Sequence, residues 1–164
     1  MRSLKLGVPA KIAIALMFAL PVSTVALAES ATPFSQLAGS WHGGGSVRYS
    51  DGSNEHLSCR GSYNSKSGGS ELTLIIRCQS PSNKIDMKSE VAYEGGHVTG
   101  HWSEKTFGLE GDFSGNASPN KFSVQISGQL QGAMTVSVNG ANHQVSISTN
   151  GPGFKSVSIA FSRG

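Results

Sequence analysis

From Gly39 to the end of the chain, apolar and polar residues alternate with a period of two. Between Lys84 and Glu94, Ile85, Met87, Ser89, Val91 and Tyr93 oppose Lys84, Asp86, Lys88, Glu90 and Glu94. Successive side chains of a strand point to opposite faces, so this period predicts strands with one buried face. The same alternation predicts strands over Gly39–Tyr49, Glu55–Tyr63, Glu71–Gln79 and His97–Glu104. Leu109/Gly111/Phe113, Phe122/Val124/Ile126, Met134/Val136/Val138, Val145/Ile147 and Val157/Ile159/Phe161 continue it. Turn chemistry separates the runs: Ser50-Asp51-Gly52-Ser53, Gly95-Gly96, Asn139-Gly140 and Asn150-Gly151-Pro152-Gly153. Ahead of the first strand, Thr32-Pro33 resembles a helix cap and first-turn proline. It predicts a short helical turn over Pro33–Leu37, with Phe34 and Leu37 on one face.

About ten short antiparallel strands joined as neighbours make an up-and-down meander. Glycines lie inside several of them, at Gly43–Gly45, Gly61, Gly100 and Gly111. Interior glycine weakens a flat strand, and its recurrence points to sharp bends such as those at barrel corners. The predicted fold is an all-β, calycin-like barrel, in which closure removes the exposed edges. A two-sheet sandwich is the competing arrangement.

The N-terminal segment departs from the period. Arg2, Lys5 and Lys11 precede or flank an apolar run, Ile12 to Leu20, and Ala26-Leu27-Ala28 supplies a small-x-small site. This is the layout of a cleaved export signal, 1–28, with cleavage after Ala28 and a single domain over 29–164. A permanent anchor needs about 20 apolar residues, and Pro21, Ser23 and Thr24 interrupt the run. The expected product is periplasmic or secreted, without an integral membrane anchor. The chain's net charge of +3 comes from the signal; the remainder has 10 basic and 10 acidic residues. Those bases are scattered singly, whereas nucleic-acid binding needs several on one surface, so no nucleic-acid partner is expected.

Cys59 and Cys78 are the two cysteines, on adjacent predicted strands and both on the apolar face. A hairpin near Gly68 would set them opposite one another, and an even cysteine count in an exported chain predicts a disulfide. No Cys-x-x-Cys spacing suggests redox chemistry.

Of the five histidines, His97 and His101 share a strand face at roughly 13 Å, too far apart to chelate one ion. They are expected to face solvent, as is His42. No Gly-x-Ser-x-Gly, His-Glu-x-x-His or phosphate-loop motif occurs. Asp51, Asp86 and Asp112 fall on turns or polar faces. No catalytic residue, metal ligand or cofactor is therefore assigned, and a hydrolytic enzyme ranks behind two binding functions. The apolar face, rich in aromatics interleaved with glycine, suits an interior that holds a small hydrophobic or amphipathic ligand. Trp41, Met87, Tyr93, Trp102 and Phe113 are the expected lining. The alternative is an envelope interaction module, such as a protease inhibitor or scaffold, with a solid core.

Gly39-Ser40-Trp41, after a short helical turn and opening the first strand, resembles the Gly-x-Trp signature of the calycins: lipocalins, fatty-acid-binding proteins and relatives. The resemblance implies that Trp41 closes one barrel end. Gly39-Ser40-Trp41-His42-Gly43-Gly44-Gly45 is similar to the opening of nitrobindin-like haem proteins, and Ser158–Arg163 is similar to their final strand. Those proteins ligate haem through a histidine near the C-terminus. Here Gly153-Phe154-Lys155-Ser156 occupies that region and the last histidine is His143, so the resemblance implies the fold without the haem. The mature chain also resembles a set of small exported bacterial proteins of unassigned function. The shared features are Leu37–Trp41, Cys59, Arg77-Cys78-Gln79-Ser80 and Gly100-His101-Trp102-Ser103-Glu104.

Overall fold

The computed structural model describes residues 32–164; the export segment expected over 1–28 lies outside them. A 3-10 turn, Ser35–Leu37, leads into β1 (Gly39–Tyr49), β2 (Asn54–Lys66), β3 (Glu71–Gln79) and β4 (Lys84–Glu94). These are followed by β5 (His97–Glu104), β6 (Leu109–Ser118), β7 (Lys121–Gly128), β8 (Gly132–Asn139), β9 (Asn142–Thr149) and β10 (Phe154–Arg163). Every strand pairs antiparallel with the next, and β10 returns to β1, so the ten strands form one closed up-and-down barrel. The closing ladder runs from Trp41 opposite Arg163 to Val47 opposite Val157. Closure disposes of the sandwich, because neither the first nor the last strand is left as an edge.

The period-two pattern decides which face turns inward. Trp41, Tyr63, Leu72, Val98, Trp102, Phe113, Phe122, Val138 and Phe161 are all buried on the inner side. The structure also lengthens two predicted strands, β2 to Lys66 and β6 to Ser118. The Gly95-Gly96 turn has positive φ at both residues (54° and 90°), a conformation that glycine adopts without a Cβ clash. Cys59 and Cys78 are direct cross-strand partners joined by a disulfide, with Cα atoms 4.1 Å apart. Closing a loop of about 20 residues stabilises the fold by roughly 3 kcal/mol on the chain-entropy argument.

Inward glycines serve a second purpose beyond bending the sheet. Gly43 is paired with Phe161, Gly100 with Phe113, and Gly111 with Trp102. A Cβ at Gly43 would lie 2.6 Å from the Phe161 ring, and one at Gly61 would lie 2.8 Å from the ring of Tyr63. The missing side chains let these rings lie down along the barrel wall instead of standing toward its axis.

Candidate functional site

One end of the barrel is sealed by the 3-10 turn. Phe34 and Leu37 drop into it and are buried. Phe34 stacks on Phe122 (centroids 5.6 Å) and meets Tyr93 edge-on (6.3 Å). Trp41 Nε1 donates to the Leu37 carbonyl at 2.8 Å, which ties strand to turn. Arg163, at the far end of the chain, lies over the Trp41 ring with its guanidinium carbon 4.5 Å from the centroid. It donates to the carbonyls of Ala38 (2.7 Å) and Gln36 (2.6 Å). A planar cation thus satisfies the carbonyls at the end of the turn and stacks on an indole at once.

Just inside this floor is a polar pair. His143, only 4% exposed, packs edge-on against Trp41 (4.4 Å) and flat on Phe161 (4.7 Å). Its Nε2 is 3.1 Å from the Tyr63 hydroxyl. Burial, helped by the nearby Arg163 charge, pushes the imidazole pKa down to about 4. Burial likewise raises the Tyr63 phenol above its usual value. Both groups are therefore neutral at ordinary pH. With the phenol donating to Nε2, the ring proton sits on Nδ1, which has no partner among the described residues.

Above the floor the inner face changes character. Met87 and Val91 on β4 are only partly buried, as are Met134 and Val136 on β8 and Ile147 on β9. β4 and β9 lie five strands apart in either direction around the ring, so these are opposing walls. These side chains pack against the buried core yet keep part of their surface accessible. The strands between them carry buried aromatics, Trp102, Phe113 and Phe122 on one side and Tyr63 and Phe161 on the other, together with further partly buried apolar residues such as Leu74 on β3, Leu109 on β6 and Val157 on β10. Trp102 lies against the inner surface of Gly111, its Nε1 3.1 Å from where a Cβ there would be. That N–H also has no partner among the described residues, a state that costs about 1–3 kcal/mol.

At the other end, loops ring the barrel. Buried Glu104 accepts from the backbone N–H groups of Asp86 (2.9 Å), Thr106 (2.9 Å) and Phe107 (2.7 Å). Burial opposes ionisation here, but these donors outweigh it and hold the carboxyl below its ordinary pKa. The loop so pinned presents Phe107 to solvent at 54% exposure. Beside it on the rim, Tyr49 and Ser82 donate to Glu55 while Asn83 donates to Tyr49. They line a shallow polar cleft of about 440 Å³.

Of the five residues expected to line a ligand site, Met87 lies partly accessible on β4 above the floor, and Tyr93, farther along β4, meets Phe34 at the floor. Trp102 and Phe113 form buried panels, and Trp41 belongs to the floor. His97, His101 and His42 face outward, with His101 Nδ1 3.0 Å from Asp112. Sequence reasoning did not single out His143, Glu104 or Arg163. Alternation carried two residues back from Val145 puts His143 inside, and two residues on from Trp102 puts Glu104 inside. Nothing local marks Arg163, whose partners are about 125 residues away.

No protein-family model and no curated protein matches the chain. Solved structures do. Rv2717c from M. tuberculosis superposes with a TM-score of 0.66 at 13% identity, covering 84% of this chain and 99% of that one. The S-type phycobiliprotein lyase CPES from Guillardia theta superposes at 0.57 with 11% identity, covering 80% of this chain and 90% of that one. At these identities the likeness shows the fold alone, a closed ten-stranded antiparallel barrel.

Proposed function

We propose that this is an exported, non-enzymatic barrel that takes a small apolar or amphipathic molecule into its interior. The observation that carries the reading is the set of inward apolar side chains that stay partly accessible, among them Met87 and Val91 on β4 and Met134, Val136 and Ile147 on the opposing β8–β9. A solid-core interaction module would bury those side chains. The neutral His143–Tyr63 pair supports a non-enzymatic role, since neither group is poised to exchange a proton near pH 7. The export signal expected over 1–28 and the Cys59–Cys78 bridge support an oxidising destination. The similar barrel of a phycobiliprotein lyase is compatible with a shell that does more than support itself.

The test is a titration with the neutral probe N-phenyl-1-naphthylamine, using protein purified from cells expressing the full chain. Saturable fluorescence enhancement at one probe per barrel is expected. No saturable enhancement, together with native mass spectra free of any co-purified species, would remove the ligand reading. N-terminal sequencing of the same material should begin at Glu29, and an intact Met1 in cytosolic protein would remove export.

A further inference from the structure

The inner surface carries information about the ligand's polarity. Between floor and mouth, no inward-facing position holds Lys or Arg among the described residues. The inward charged groups are Glu55 and Glu104 at the mouth and Arg163 at the floor, where its guanidinium is engaged by Gln36 and Ala38. A carboxylate or phosphate drawn into the barrel would leave water without a counter-ion, and the mouth acids would oppose its entry. Yet the interior is not indifferent to polarity. Trp102, 92% buried, keeps an Nε1–H with no partner among the described residues, and its ring fills the space left by the missing side chain of Gly111. An indole nitrogen can only donate, so what it lacks is an acceptor. Ser89, its cross-strand neighbour, donates its hydroxyl to the His101 carbonyl at 2.9 Å and does not accept from the indole.

Resting on the reading of the interior as a binding site, we propose that the ligand is uncharged and bears a carbonyl or ether oxygen that accepts the Trp102 Nε1–H. Ketones, esters and ethers with an apolar body fit. Free fatty acids do not, and pure hydrocarbons leave the donor unpaired.

Displacement of N-phenyl-1-naphthylamine by octan-2-one, oct-1-ene and octanoate compares three heads on one chain length. The ketone should bind about 3- to 10-fold more tightly than the alkene, the worth of one hydrogen bond, and octanoate least. In Trp102→Phe the ketone-to-alkene ratio should fall to near one. Because the ratio is taken within each protein, any general loss of affinity cancels. The indole N–H resonance absent from Trp102→Phe should move downfield with the ketone and not with the alkene. Trp41, bonded to Leu37, serves as the internal reference. An unchanged ratio in Trp102→Phe, or a preference for octanoate, overturns this assignment while leaving the barrel a binder. Failure of every probe to bind overturns both.

Discussion

His143 shows how one polar residue on an apolar face changes what a protein tolerates. Above about pH 6.5, the ordinary histidine value, folded and unfolded chains both hold it neutral. As pH falls toward its folded value of about 4, the unfolded chain takes up a proton that the folded chain refuses. Stability is lost across that window and the loss levels off below it. Between pH 7 and pH 5 it amounts to about 2 kcal/mol. His143→Gln, which keeps a partner for Tyr63 without titrating, should lose most of that slope in urea unfolding at the two pH values. Glu104 is distinguishable, because its contribution is present above the ordinary carboxylate range and lost only as pH falls below it. Local periodicity placed most inward residues correctly but says nothing of polar ones: a histidine at an inward position reads as a blemish until its phenol partner, 80 residues away, is seen.

At the scale of the strand, glycine and aromatic are a single unit. Adding a methyl at Gly100 would bring it within 2.6 Å of the Glu90 carbonyl and onto the Phe113 ring. Gly100→Ala should therefore destabilise the barrel by about 1–3 kcal/mol. Gly44→Ala, on the outer face with its nearest neighbour 3.8 Å away, should be neutral or slightly stabilising in the same thermal melts. The β2–β3 hairpin depends on its bridge, and adding reductant should lower its stability in urea by about 3 kcal/mol. The β5–β6 loop depends on Glu104. Glu104→Gln gives up a charge-assisted acceptor and should cost about 1–3 kcal/mol, with faster amide exchange at Thr106 and Phe107. Element order and most strand bounds were legible because turn residues and alternation are local signals. The glycine–aromatic pairing was not, since it depends on register between strands.

At the scale of the whole molecule, the joint between β1 and β10 was the least legible feature. The composition and meander called for a closed shell, but no residue near Trp41 announces Arg163 as its cover. That contact exists only once the ring is complete. Removing residues 154–164 should expose β1 and β9 as paired-strand templates, and the truncated protein should aggregate in size-exclusion chromatography where the full chain runs as a discrete species.

The β1–β10 joint also bears on the order of events in the life of the chain. The segment that opens the barrel cannot be paired on both sides until the segment that closes it has been made, because Trp41 waits for Arg163. A ladder that joins the two ends of a domain raises the mean sequence separation of its contacts, and such topologies fold slowly. The barrel thus stays open until β10 has been made, and closure of the ring comes late in its folding.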